Sequence, residues 1–304
     1  MFADNVMTGP SVVNVGTMTA RRVCVVGSLN MDLTFAVTTL PRPGETVLAS
    51  ALNCAPGGKG GNQAVAAARA GAHVQFVGAV GDDAAADQLR AHLLANGVGI
   101  DGMVRVPGPS GTAIIVVDTG AENTIVVAPG ANGQLKLPPA AVGDCDVLLT
   151  QLEIPPETAV AAARQARSAG AIVMVNVSPA GRLHGAGPEL SAVADVVIAN
   201  ESEAQQWRWS PAHLVVTCGA RGARYVGVDG ELDVAAPAVT AVDTTGAGDV
   251  FAGVLAAHWP PDGASPAQRL RALQRACAAG ALATTVAGAG DCAPPADAIE
   301  AALT

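Results

Sequence analysis

The stretch VDTTGAGDVFAGVLAA, residues 242–257, sets a carboxylate and a run of small residues at the start of an apolar helical segment. Asp249 falls in the first turn of that helix, where the backbone N–H groups of Gly246, Ala247, Gly248 and Asp249 would converge on one spot. The first N–H groups of a helix lack intrahelical acceptors and lie at the positive end of its dipole, so the spot suits an anion. An aspartate here also suits a helix cap. Capping alone does not account for Asp243, two threonines and two glycines in the same stretch. An anion hole beside a carboxylate is what phosphoryl transfer to a hydroxyl requires. The N–H groups stabilise charge on the transferred group, and the carboxylate takes the proton of the attacking alcohol. The glycines are not a dinucleotide fingerprint, because Phe251 stands where the third glycine of G-x-G-x-x-G would fall.

A second glycine cluster, APGGKGGNQAVAAARAG at 55–71, surrounds a scarce residue type: of 17 basic residues only Lys59 and Lys136 are lysines. It is not a phosphate loop of the Walker A kind. Asn53 occupies the position of the first required glycine, and Gly60 replaces the Ser or Thr after the lysine. It is not a linker either, since NQAVAAARAG is a strong helix start. Gly57, Gly58, Gly60 and Gly61 let the backbone come close to a ligand, which Asn62 then faces from the first helical turn.

These residues need elements to hold them. Short apolar runs at 23–27, 74–80, 146–152, 171–177, 195–200 and 214–219 lack apolar/polar alternation and read as strands buried on both faces. Amphipathic segments such as 82–97 and 155–170 lie between them. The pattern predicts an α/β fold with a doubly wound, mostly parallel sheet and helices on both faces. Two regions, 40–56 and 112–130, alternate apolar and polar residues around turn signals. They predict antiparallel strands of a small β lid, inserted at about 34–55 and 110–130. Residues 21–304 read as one domain, and 1–20 as a loose extension with Met18 as an alternative start. The last third predicts helices over 246–259, 265–288 and 295–304.

In such sheets ligands bind outside the carboxyl ends of the strands. The polar residues delivered there are Asn30, Asp32, Glu153, Asn176, Asn200, Glu201, Glu203, Thr217 and Gly219. Each alone suits a turn or cap; the set favours a cleft rich in hydroxyl-binding groups. Composition narrows the class. The chain has 304 residues, is 50% hydrophobic and 14% charged, and carries a net charge of −9, which excludes global disorder and disfavours nucleic acid or an anionic membrane as partner. The six cysteines form no C-x-x-C pair and fit a reduced cytoplasm. No run of 18–20 apolar residues and no secretory signal is present.

GSLNMD, GGKGGNQAVAAARAG, GDD, NESEA and DTTGAGDVFAG together resemble the ribokinase-like (PfkB-type) carbohydrate kinase family from about Val23 to the C-terminus. Within it GSLNMD, Glu153 in QLEIP and GGKGGN are most similar to the ribose-phosphorylating members. The resemblance implies ATP-dependent phosphorylation of D-ribose at its 5-hydroxyl, with Mg²⁺, a potassium-type monovalent activator, and a homodimer formed through the lid. It implies sugar contacts at Asn30, Asp32, Gly58, Lys59, Gly60, Gly61, Asn62 and Glu153. Asp249 becomes the base and Gly246, Ala247 and Gly248 the anion hole. Asn200 and Glu203 serve the phosphate and metal-water side, and Thr217, Cys218, Gly219, Ala220, Arg221 and Gly222 flank the nucleotide. The monovalent ion falls to Asp243, Thr245, Ala283, Val286 and Gly288, with Cys292 where the family tends to place a hydroxyl. The segment between NESEA and LVVTCG is short, and Trp207 and Trp209 are expected to cover core there.

Two other readings stand beside ribose. One is a kinase for fructose, deoxyribose or a nucleoside such as adenosine. The other is a non-catalytic sensor on the same fold, whose mark would be loss of the base.

Overall fold

The computed structural model describes residues 20–120, 122–179, 181–182 and 186–303; the expected N-terminal extension, up to residue 19, lies outside the described residues. Nine strands form the main sheet: β1 (Arg22–Val26), β4 (His73–Val80), β5 (Gly99–Arg105), β8 (Val147–Thr150), β9 (Ile172–Asn176), β10 (Val196–Asn200), β11 (His213–Thr217), β12 (Ala223–Gly227) and β13 (Gly230–Val234). Their order is β13-β12-β11-β10-β9-β8-β1-β4-β5, parallel except for the hairpin pairings of β12 and β13. This is the doubly wound sheet that the apolar runs predict.

Burial on both faces follows the period of two along each strand. In β1, Val23 and Val25 join one core cluster while Cys24 and Val26 join another on the opposite face. The first cluster is closed by α1 (Lys59–Arg69), α2 (Ala84–Ala95), α6 (Ala247–His258) and α7 (Pro266–Ala283), with α8 (Ala296–Ala301) behind them. The second is closed by α3 (Pro156–Ser168) and the short α4 (Gly187–Ser191). Beyond α5 (Glu201–Ala204), Trp207 is buried in that second core with Trp209 edge-on to it, their ring centres 5.0 Å apart. The two tryptophans do cover core in the shortened segment.

The lid is a separate four-stranded sheet, ordered β3-β2-β6-β7, of β2 (Asn30–Ala36), β3 (Ala51–Gly57), β6 (Gly111–Val117) and β7 (Asn123–Ala128). Its strands differ from the expectation in two ways. Its central pair, β2 and β6, runs parallel. Residues 38–50 hold no strand, since Pro41 and Pro43 lack the N–H a ladder needs and Gly44 turns at φ 84°. The missing strand is β2, which starts at Asn30, so Asn30 and Asp32 sit on the lid's first strand rather than on a loop after β1. At the other end, α7 stops at Ala283 rather than continuing to 288. The Thr284 carbonyl accepts the Val242 and Asp243 N–H groups, and Asp243 takes the Gly288 N–H, so the chain leaves the helix to wrap Asp243.

Candidate active site

Helices α1 and α6 cross in contact through small residues. A Cβ on Gly253 of α6 would lie 2.3 Å from the Gln63 carbonyl oxygen and 2.8 Å from Ala66 Cβ, so only glycine permits this approach. The crossing brings the first turns of both helices together. Asp249, 7% exposed, accepts hydrogen bonds from Asn62 Nδ2 (3.1 Å to Oδ2) and Gln63 Nε2 (3.0 Å to Oδ1), and Lys59 Nζ lies 3.9 Å from Oδ1. Asp249 raises the Lys59 pKa above its usual value against the opposing effect of burial, with Glu153 and Glu203 adding to it, so Lys59 is a firm cation.

Gly246 precedes α6 in the left-handed region at φ 80°, and a Cβ there would also press on Ala289 at 2.9 Å. This turn points the next amides outward. The Ala247 N–H bends back to the Thr244 carbonyl at 3.3 Å, a correction to its expected place in the anion hole. The Gly248 and Asp249 amides have no acceptor among the described residues, and space beside Gly248 is open.

On one side of this turn lies a cluster of polar side chains, hereafter the polar pocket. Ser28 Oγ donates to Glu153 Oε2 at 2.6 Å, and the Lys59 N–H reaches the same oxygen at 3.3 Å. The Gly60 N–H approaches Ser28 Oγ at 3.4 Å, and the Gly61 and Asn62 N–H groups bond to the Ser28 and Gly58 carbonyls. Thus the glycine turn is pinned to the end of β1. Asn132 Nδ2 donates to Asn30 Oδ1 at 2.8 Å, which leaves the Asn30 amide hydrogens for a ligand. Burial, then the charges of Glu153 and Asp249, push the Asp32 pKa up to about 7. The structure therefore brings Asn30, Asp32, Lys59, Asn62, Glu153 and Asp249 together.

Ser28, Gln63 and Asn132 escaped the sequence reading. Ser28 and Gln63 sit inside the quoted motifs GSLNMD and GGKGGNQ, which was the available signal. Asn132 lies in PGANGQ, where Asn-Gly reads as a turn.

On the other side lies a cleft of about 750 Å³. The structure brings Asn200, Thr217, Gly219, Ala220, Gly222 and Gly248 together on its wall. Glu201, Ser202, Thr244, Ala247, Phe251, the strap 236–241 and residues 277–284 at the end of α7 complete its walls, and the strap carried no sequence signal. Cys218 and Arg221 are outside the lining. Cys218 ties the turn by its backbone bond with Gly222, and Arg221 is held in solvent by Glu201 at 2.5 Å. Asn200 and Glu203 form a reciprocal capping box on α5, each side chain accepting the other's N–H at 2.8 and 2.9 Å. Asp83 of GDD caps α2 and holds Ser110, a structural role.

The predicted monovalent-ion residues form a loop beside the turn. Asp243 accepts the Thr245 and Gly288 N–H groups, each at 2.9 Å. Burial works to raise its pKa, but these bonds more than offset it and hold it below the usual range. The Ala283 carbonyl is engaged by the Val286 N–H, and Val286 is exposed. Cys292 is corrected as a ligand. Burial, with Asp249 nearby, pushes its thiol up to about 11, and the neutral thiol donates to the Ala289 carbonyl at 3.2 Å. What remains is one carboxylate with backbone carbonyls, a low-charge oxygen set that fits a monovalent ion. Among the described residues no group of three or more His, Cys, Asp or Glu could hold a metal, and no helix is long and apolar enough to cross a membrane.

Residues 20–296 match the family model described as pfkB family carbohydrate kinase. The chain belongs to that family. This kinase-family chain is 39% identical over 247 residues to a ribokinase of Bacillus subtilis (strain 168), covering 76% of this chain and 83% of that one. It is 32% identical over 266 residues to a deoxyribokinase of Salmonella typhi, covering 79% and 86%. Its structure superposes on Arabidopsis thaliana ribokinase complexed with ribose and ATP with a TM-score of 0.81 at 27% identity, over 94% of this chain and 99% of that one.

Proposed function

We propose that this chain transfers the γ-phosphoryl group of ATP to the 5-hydroxyl of D-ribose. The observation that carries the reading is the place of Asp249. It stands between a cluster of polar side chains and a largely apolar cleft, at a turn with two amides that have no acceptor among the described residues. The sugar fills the pocket of Asn30, Asp32, Lys59, Asn62 and Glu153, and the nucleotide fills the cleft from Thr217 to Thr284. Asp249 takes the hydroxyl proton as the oxygen attacks. The Gly248 and Asp249 amides and Lys59 meet the charge on the transferred group, with Gly246 setting the turn. Asn200 and Glu203 would stand at the edge of a bound Mg²⁺, which would supply charge neutralisation on the phosphates. A potassium-type ion in the loop of Asp243, Thr245, Ala283, Val286 and Gly288 would fix the turn's shape.

Neutral polyols suit a pocket whose obvious cation is Lys59 alone; a sugar phosphate would call for more arginine or lysine. The retained and anchored Asp249 argues against a non-catalytic sensor. Ile125, Val126 and Val127 on β7 are exposed, and a second copy of the lid covers them in the proposed homodimer. The test is a coupled ADP-release assay over ribose, deoxyribose, fructose and adenosine, with and without potassium. The highest kcat/KM on ribose supports the reading; preference for deoxyribose or fructose moves the substrate within the family.

A further inference from the structure

We infer that Gln63 is a positioning residue: its buried amide locks the Asp249 carboxylate in the orientation from which Asp249 takes the hydroxyl proton. The inference rests on the reading of Asp249 as the base.

Consecutive residues of α1 grip the two oxygens of one carboxylate, Asn62 on Oδ2 and Gln63 on Oδ1. Their roles differ. Asn62 borders the polar pocket, and its amide is drawn toward a bound sugar. Gln63 is 0% exposed, so a ligand entering from the surface does not reach it to compete for its bond to Asp249. Two anchor points fix the plane of a carboxylate; with Asn62 engaged elsewhere, Gln63 and the helix backbone are what keep that plane. The Gln63 side chain is enclosed on every side, and α6 packs at Gly253 against the backbone carbonyl of the same residue, so the two first turns are held together where the amide meets Asp249.

The other end of the amide supplies an independent observation. Gln63 Oε1 is buried without a hydrogen-bond partner. An orphaned buried acceptor is a cost that an apolar side chain of the same length avoids. The reversed amide would set this oxygen against a carboxylate oxygen. Packing therefore does not call for a glutamine here, whereas holding Asp249 does.

The charged and titratable groups around Asp249 are Lys59 from α1, Asp32 from the lid, Glu153 after β8, and Cys292 beyond α7. All of them remain when Gln63 is changed, so the change isolates the amide.

The experiment compares wild type, Gln63→Met and Gln63→Glu in the full chain, with Asp249→Asn in parallel. Steady-state kinetics are taken with ribose and ATP over about pH 5 to 9, where a catalytic carboxylate shows its acid limb. Gln63→Met keeps length and shape without the donor; kcat is expected to fall on the order of 10²-fold through misorientation, with the ribose KM unchanged. The acid limb of kcat/KM moves to higher pH, and further in Gln63→Glu, where a second carboxyl faces the first. Nucleotide binding by calorimetry reports that each variant is folded. Gln63→Glu is isosteric with the native side chain and carries the test alone where Gln63→Met does not fold. A folded variant with wild-type kcat, or a loss of kcat with no movement of the acid limb in either variant, overturns the inference. The control separates the two failures. An active Asp249→Asn removes the base itself, whereas an inactive Asp249→Asn beside a wild-type-like Gln63→Met removes only the role of Gln63.

Discussion

The polar pocket and the adjoining cleft meet at Gly248 and Asp249 but are built from opposite materials. In the pocket almost every side chain is already paired: Ser28 with Glu153, Asn132 with Asn30, and Asn62 and Gln63 with Asp249. Its geometry is set before any ligand arrives, and burial, then the charges of Glu153 and Asp249, push Asp32 up to about 7. The cleft is walled largely by residues 236–241, Phe251 and α7, whose small and apolar side chains offer shape rather than directed bonds. A preorganised polar site loses function when one group is changed, while an apolar slot loses affinity when its wall moves. Substitutions on either side of Asp249 should therefore fail in different kinetic constants.

The largest effect is expected at the junction. Asp249→Asn removes the proposed base while keeping shape and both amide neighbours within reach. Its kcat should fall by ~10²-fold or more, with nucleotide affinity in calorimetry unchanged. A variant with full kcat would mean that the carboxylate only ties α6 to Asn62 and Gln63 of α1, and the pocket would lose its distinction from the cleft.

The same contrast governs what the sequence made legible. Buried strands are apolar runs whatever their partners, so the main sheet could be read directly. The lid could not be bounded, because NMDLTFA mixes a ligand-facing edge with a core-facing one, and nothing local tells β2 to pair parallel with β6. In the site, residues were legible where their type implied chemistry next to a backbone feature, as with Asp249 beside glycines. Gln63 and Asn132 were not, because each acts on a partner more than a hundred residues away. The cleft walls were least legible: alanine, valine and proline at 236–241 look like any loop until β12 and β13 fold them against α7. The Ala247 amide and Cys292 were misassigned for a related reason. Each finds a nearby carbonyl, Thr244 or Ala289, that a motif alone does not place.

On the cleft side, Gly222→Ala should act on the wall alone. Gly222 has φ 96°, and a Cβ there would meet the Val234 carbonyl oxygen at 2.0 Å and the Ala236 N at 2.6 Å. The strap must shift. Strain of this kind is worth ~1–3 kcal/mol, so the KM for ATP should rise by about tenfold while the KM for ribose holds. An equal rise in both would show that the two sites are mechanically coupled.

On the pocket side, Asp32→Asn tests preorganisation through stability. Burial and two carboxylate neighbours raise the folded-state pKa of Asp32 above its ordinary value of 3.8, so the folded protein holds the proton more tightly. Its favourable contribution is complete below that ordinary value and is lost as pH rises through about 7. Asp32→Asn should therefore melt higher than wild type at alkaline pH, by at most about 4 kcal/mol, and show no such gain in acid. Melting curves at both ends of the range decide it. The KM for ribose should worsen at all pH values, the usual exchange between stability and a strained site.

The smallest effect is expected just behind the turn, at Cys292. A buried neutral thiol that donates to the Ala289 carbonyl holds that oxygen away from an ion and offers none of its own. Cys292→Ser puts a hard oxygen in the same place. The half-saturating potassium concentration should fall about two- to fivefold, the range of one modest oxygen contact. It is read from kcat against KCl at ionic strength held constant with a bulky organic cation. Nucleotide and ribose KM values should not move, since Cys292 lies in neither site. An unchanged potassium dependence would mean that the carboxylate and carbonyls define the loop without the side chain at 292. A collapse of kcat would mean that the Cys292–Ala289 bond shapes the turn at Gly246, whose α-carbon hydrogens face Ala289, and that the junction leans on its backing more than on either site it joins.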